Sequence, residues 1–142
     1  MRFWDSSAII PILVMEPQTQ VIREIYGNRP GMLVWWATEV ECASAIARRE
    51  RDGSLPSAQA GQALARLDLL KEEWHEVQPT DRARSIGRRL LRVHPLRSTA
   101  ALQLAAAVLA SEGEPASLEI VTLDERLSGA AQKEGFTAIP GV

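Results

Sequence analysis

Two aspartates in this sequence directly follow short apolar segments. Asp5 ends the segment that begins at Arg2, and Asp124 stands just after Val121-Thr122. If both segments are parallel strands, the two carboxylates lie at the carboxyl edge of one sheet, where open α/β sheets bind their ligands. Each aspartate alone is also well placed to cap the helix that follows it. Together they predict a shared site at that edge.

Glu41 is the third acidic candidate. It lies on the first turn of a predicted helix that begins at Thr38, and this spacing also fits a capping box, in which the glutamate folds back onto the helix start. As a functional residue, Glu41 would point across the same sheet edge and complete a three-carboxylate site for a hard divalent cation. Glu39, two residues earlier, faces elsewhere on the helix and is the weaker candidate.

The elements that must position these acids alternate between strand and helix. Apolar runs too short for helices predict strands, and apolar residues at helical spacing predict the helices between them. The predicted strands are Arg2–Asp5, Met32–Trp35, Trp74–Val77, Leu118–Thr122 and Phe136–Ile139. The predicted helices are Ser6–Met15, Gln18–Tyr26, Thr38 to the stop at Asp52-Gly53-Ser54, Pro56–Glu73, Arg82–Val93, Leu96–Ala110 and Asp124–Glu134. This alternation predicts a three-layer α/β/α domain around a mostly parallel sheet, with no linker dividing residues 1–142.

The composition is typical of one soluble domain. The chain has 142 residues, of which 46% are hydrophobic and 24% are charged. A chain of this length can bury a full hydrophobic core without disulfides or structural metals. Cys42 is the single cysteine, which excludes an internal disulfide framework and a multi-cysteine zinc site. No apolar run approaches the roughly 18 residues of a membrane span, and Met1–Asp5 shows no export signal. We therefore expect a cytoplasmic protein that does not contact membranes.

The net charge of −2 gives no sign of nucleic-acid binding, but the distribution of charge is uneven. Two clusters of arginine stand out. They comprise Arg82, Arg84, Arg88, Arg89, Arg92 and Arg97 in one segment, and Arg48, Arg49 and Arg51 at the end of the third helix. They are either the solvated outer faces of amphipathic helices or a rim that contacts phosphates.

Four segments, in this order and at these separations, resemble a PIN domain of the VapC toxin type. They are Phe3-Trp-Asp5-Ser-Ser-Ala8, Thr38-Glu-Val-Glu41-Cys-Ala-Ser44-Ala45, Leu96-Arg-Ser-Thr-Ala-Ala-Leu-Gln-Leu-Ala105 and Val121-Thr-Leu-Asp124-Glu-Arg-Leu127. The resemblance covers nearly the whole chain and implies a metal-dependent endoribonuclease. It implies Asp5, Glu41 and Asp124 as ligands of Mg²⁺ or Mn²⁺. Ser6 and Thr122, beside the acids, and Arg97 are the candidates for contact with the RNA.

The fourth acidic position departs from the family pattern. Ala100 stands where the resemblance implies an aspartate, within an otherwise matching segment. Either the natural chain lost this acid, or the aspartate was replaced to obtain a non-toxic protein, and an isolated change in an intact motif favours replacement. We therefore expect a weak or inactive nuclease. Gln103, one turn on, either offers a carbonyl oxygen toward the gap or is an ordinary polar residue of the helix.

The resemblance implies partners as well as chemistry. They are an RNA substrate, a cognate VapB-type antitoxin and a second copy in a homodimer. The tryptophans Trp4, Trp35, Trp36 and Trp74 are either interface residues or core residues.

Two other functions are weighed against a nuclease. The first is a catalytically degenerate PIN-like module that binds an antitoxin or RNA without cleaving it, and Ala100 favours it. The second is a phospho-accepting receiver-like domain. It fits poorly, because only Asp5 stands at the first strand and the lysines are just Lys71 and Lys133.

Overall fold

This computed structural model describes residues 1–141. These residues contain one parallel sheet of five strands. The strands are β1 (Arg2–Trp4), β2 (Met32–Trp35), β3 (His75–Val77), β4 (Glu119–Val121) and β5 (Thr137–Ile139). Their order in the sheet is β3-β2-β1-β4-β5, and every neighbouring pair is parallel. The predicted parallel sheet is confirmed.

Helices cover both faces of this sheet. One face carries α1 (Ser6–Leu13), α2 (Thr19–Asn28), α3 (Thr38–Arg51) and α4 (Ser57–Lys71). The other face carries α5 (Asp81–Val93), α6 (Ser98–Ala110) and α7 (Glu125–Lys133). The predicted three-layer α/β/α class is therefore confirmed. Within the described residues, no helix is both long and apolar enough to cross a membrane.

Side chains alternate between the two faces because successive residues of a strand point in opposite directions. In β1, Phe3 packs against the layer of α5 to α7, and Trp4 packs against the layer of α1 to α4. Trp35 and Trp74 are also buried, as their interpretation as core residues predicts, whereas Trp36 is 50% exposed. Cys42 is buried in the core, and this burial raises the pKa of its thiol.

The ends of several elements differ from the prediction. β1 ends at Trp4 because Asp5 takes the extended N-cap position of α1. α1 ends at Leu13 rather than Met15, since Val14 is extended and the Thr19 hydroxyl donates to the free carbonyl of Pro11 at 2.8 Å. Helical spacing in the predicted helix Arg82–Val93 places Ala83, Ile86, Leu90 and Val93 on one buried stripe, and this prediction is wrong for Val93, which is 60% exposed.

The strand order reverses beside β1. The chain passes from β1 to β2 and β3 on one side, and then crosses over to β4 and β5 on the other. In the register of the sheet, Trp4 pairs with Val121, so the carboxyl ends of β1 and β4 lie together. The crevice outside two such strand ends is the usual ligand site of an open α/β sheet.

Candidate functional site

A cavity of about 450 Å³ opens where β1 and β4 end. Asp5, Glu41 and Asp124 line it, together with Ser6 and Ala100. The structure therefore brings the predicted acids together with the position of the missing one. Thr122 does not line the cavity, but its hydroxyl donates a hydrogen bond to Asp5, which does. Arg97 lines an adjoining depression.

Asp5 is held by hydroxyl groups. Its side chain is buried, with 5% of the residue exposed, and its Oδ2 accepts hydrogen bonds from Ser7 Oγ at 2.5 Å and Thr122 Oγ1 at 2.9 Å. Although Asp5 occupies the N-cap position of α1, its side chain caps no amide there. Burial raises the pKa of Asp5, and the charge of Asp124 adds to this rise, while the two hydroxyls oppose it.

Glu41 is held from two directions on the first turn of α3. Its Oε1 accepts from Ser6 Oγ at 2.9 Å and from Gln103 Nε2 at 3.1 Å. The alternative of a capping box is wrong, because the helix begins after Ala37 and the Thr38 hydroxyl accepts from Gln103 instead, at 3.0 Å. Burial raises the pKa of Glu41, and the nearby charge of Asp5 adds to the rise.

Glu39 and Asp124 have other partners. Glu39, predicted to face elsewhere, forms an ion pair with Lys71 at 3.0 Å. Asp124 caps α7, since its Oδ1 accepts from the backbone N–H groups of Arg126 at 3.0 Å and Leu127 at 3.2 Å. The interpretation of Asp124 as a helix cap is therefore correct, and the cap uses only one of its two oxygens.

The three carboxylates of the cavity share one arrangement. The protein hydrogen bonds to each carboxylate end on a single oxygen, which is Oδ2 of Asp5, Oε1 of Glu41 and Oδ1 of Asp124. Among residues 1–141, no hydrogen bond or salt bridge ends on the other oxygen of any of the three. Each acid is thus fixed in orientation and keeps one oxygen for a ligand. Metal-ligating carboxylates are commonly oriented in this way by outer hydrogen bonds.

The donors have the chemistry that a hard divalent cation requires, but the set is incomplete. Carboxylate oxygens suit Mg²⁺ and Mn²⁺, and buried acids without a counter-ion gain from a cation. Within the part of the chain that the structure describes, however, no three side chains of His, Cys, Asp or Glu are grouped closely enough to hold an ion. Ala100, on the first turn of α6, lines the cavity with a methyl group that donates nothing to a metal.

Two residues that organise the site were missed or misinterpreted in the sequence. Ser7 Oγ donates to Asp5 and accepts from the Leu123 amide at 2.9 Å, which ties α1 to the loop after β4. Gln103 is 1% exposed and bridges Thr38 and Glu41, so it is not an ordinary polar residue of the helix. The signals were the second serine after Asp5 and a lone polar residue in an apolar stretch of helix.

Comparisons with known proteins support the fold. The chain matches no protein-family model and no curated protein sequence. It is similar to the crystal structure of PAE2754 from Pyrobaculum aerophilum, with a TM-score of 0.65 and 18% identity over 97% of this chain and 83% of that chain. It is also similar to the crystal structure of FitAcB from Neisseria gonorrhoeae, with a TM-score of 0.64 and 14% identity over 97% of this chain and 96% of that chain. Likeness at this level of identity shows the fold alone, which is the three-layer α/β/α arrangement.

Proposed function

We propose that the chain is a metal-dependent endoribonuclease of the VapC toxin type that lacks one acidic ligand and is weak or inactive with alanine at position 100. One observation supports this most. Asp5, Glu41 and Asp124 come from separate segments, line one cavity, and each keep one oxygen without a protein partner. The four motifs and the PIN-like fold agree with the proposal.

The acids suit the hydrolysis of a phosphodiester. This reaction needs a nucleophilic water near neutral pH and positive charge where negative charge develops, and a bound divalent ion supplies both. With an acid restored at position 100, Asp5, Glu41 and Asp124 would hold Mg²⁺ or Mn²⁺, directly or through water. The hydroxyls of Ser6 and Thr122 are already bonded to Glu41 and Asp5, so we assign them to positioning these acids rather than to contacting RNA.

The proposal includes the partners and location that the resemblance implies. RNA is the substrate, a VapB-type antitoxin is the inhibitor, a homodimer is the assembly and the cytoplasm is the compartment. The described surface carries exposed apolar side chains of the kind that protein interfaces bury, including Met15, Trp36 and Val40.

Restoring the missing acid tests the proposal. RNA cleavage is measured for the chain and for A100D, side by side, in Mg²⁺, in Mn²⁺ and with EDTA. We expect A100D to cleave at least about 10-fold faster, because even outer-shell changes at metal sites cost that much, and EDTA to abolish the activity. A65D, at an exposed position of α4, adds the same charge away from the cavity. A gain of only a few-fold for A100D contradicts the proposal.

A second candidate function is a degenerate module that binds RNA or an antitoxin without cleaving RNA. Ala100 and the absence of three grouped ligands among residues 1–141 favour it. Failure of both forms to cleave any RNA, while the chain still binds a partner protein, would establish this function. The natural codon at position 100 discriminates as well, since aspartate there indicates a nuclease and alanine indicates the binding module.

A further inference from the structure

The acid cavity continues into a second depression that has arginines on its wall. The second depression has a volume of about 330 Å³ and shares Thr99, Ala100 and Asp124 with the acid cavity. Arg97 and Arg126 line it, and neither lines the acid cavity itself. The two spaces therefore form one cleft with acids in one part and positive charge in the other.

Arg97 and Arg126 have no acidic partner in the described chain. Both side chains are exposed, and neither forms a salt bridge with any of residues 1–141. Asp124 lies on the wall of the same depression, but its Oδ1 is taken by backbone amides, one of them that of Arg126. Two guanidinium groups are therefore free to bind an anion beside the acids.

Helix stability does not explain these two arginines. Arg97 is the N-cap residue of α6, and Arg126 is the second residue of α7. The N-terminal end of a helix carries partial positive charge, so a basic side chain there is electrostatically unfavourable. Residues that break a local rule without a gain in stability are expected at functional sites.

A third arginine without a salt bridge stands in the other helical layer. Arg48 of α3 is exposed, lines the acid cavity and forms no salt bridge within the described residues. Because α3 covers one face of the sheet and α6 and α7 cover the other, positive side chains flank the acids from both layers.

We propose that Arg97 and Arg126 form a phosphate subsite for single-stranded RNA beside the acid cavity, with Arg48 as its counterpart in the opposite layer. The inference rests on the proposed function, because it takes the acid cavity as the position of the phosphate that is cleaved. Acids alone repel a polyanion, and arginine binds phosphate oxygens through its planar fork of N–H donors. A single-stranded RNA with one phosphate at the acids would place a neighbouring phosphate beside Arg97 and Arg126.

Salt-dependent binding tests the subsite without relying on cleavage. Binding of fluorescein-labelled oligouridylate is followed by anisotropy over a range of NaCl concentrations in Mg²⁺, for the chain and for R97Q/R126Q. Each phosphate contact that is lost lowers the magnitude of the slope of log affinity against log salt by about 0.7 for single strands, so we expect a decrease of about 0.7 for the one phosphate that Arg97 and Arg126 share. R48Q should lower the slope by about 0.7. R23Q/K133Q removes the same charge at exposed positions outside the cleft and serves as the control.

The outcomes separate the subsite from the nuclease. Equal slopes for R97Q/R126Q and R23Q/K133Q overturn the subsite. Equally tight binding of an oligoglutamate that has the same charge as the RNA overturns it as well. A lowered slope for R97Q/R126Q supports the subsite even if A100D fails to cleave RNA, in which case only the proposed function is lost. Circular dichroism melts confirm that the variants fold, which their exposed positions lead us to expect.

Discussion

Glu41 Oε1 and Gln103 Nε2 lie 3.1 Å apart, although 62 positions separate the two residues in the chain. The same Nε2 donates to the Thr38 hydroxyl at 3.0 Å, so one buried amide joins the first turn of α3 to α6. Ser6 donates to the same Glu41 oxygen. Gln103 therefore holds Glu41 by one oxygen and leaves Oε2 without a protein partner.

We expect Q103L to lower the free energy of unfolding by about 1–2 kcal/mol, because it removes hydrogen bonds to a carboxylate and to a buried hydroxyl. Loss of Gln103 Oε1, which has no hydrogen-bond partner among the described residues, offsets part of this cost. Urea unfolding measures the change, and Q62L, at an exposed position of α4, is the control. Equal urea midpoints for Q103L and the parent chain would contradict the structural role of Gln103.

Glu134 joins the end of α7 to the end of α5. Its Oε1 lies 2.9 Å from Arg89 Nη2 and its Oε2 lies 2.6 Å from His94 Nε2. The hydrogen bond from Arg89 is the main cause of the lowered pKa of Glu134. A carboxyl whose pKa is lowered by folding stabilises the protein above its ordinary pKa, and this contribution disappears as the pH falls through the lowered value.

We therefore expect E134Q to lower the Tm at about pH 7 and to lower it less at about pH 3, because the parent chain loses the stabilising charge of Glu134 as the pH falls through its lowered pKa. Thermal unfolding followed by circular dichroism at the two pH values measures the difference. E73Q, at an exposed position that forms no salt bridge in residues 1–141, is the control. An equal loss of Tm for E134Q at both pH values contradicts the assignment.

Local patterns predicted much of the fold and the meeting of the acids. Met32–Trp35 forms β2 with the predicted bounds, because a short apolar run in a buried strand is a local signal. Asp5 and Asp124 meet because β1 and β4 pair in parallel, which follows from the alternation of strands and helices.

The contacts that hold the acids were not predictable from local patterns. Thr38 and Glu41 fit a capping box in sequence, but Gln103 of α6 binds both, and a tertiary contact of this kind has no signal in the local segment. Thr122 reaches Asp5 across 117 positions for the same reason. The predicted burial of Val93 failed at the last residue of α5, where the C-cap residue His94 is buried instead.

The buried charge of Asp5 leads to a prediction for the metal-free chain. Burial raises the pKa of Asp5, so the stability that its protonated form contributes is present at low pH and is lost as the pH rises through the raised value. We expect D5N to raise the Tm in EDTA at about pH 7 and to change it little at about pH 3. D68N, exposed on α4, controls for the loss of one charge. A D5N chain that melts below the parent at neutral pH contradicts the prediction.

Metal binding itself separates a site that lacks one ligand from a cavity that binds no ion. Calorimetric titration with Mn²⁺ should show at least about 10-fold tighter binding for A100D than for the parent chain, because a fourth carboxylate then joins Asp5, Glu41 and Asp124 on one cavity. A tighter complex should also raise the Tm in Mn²⁺, since an ion that binds only the folded chain stabilises it. The gains in Mn²⁺ affinity and in Tm should both vanish in D5N/A100D and should not appear in A65D. Equal Mn²⁺ affinity for A100D and A65D would mean that the acids of this cavity do not form a metal site even when the missing acid is restored.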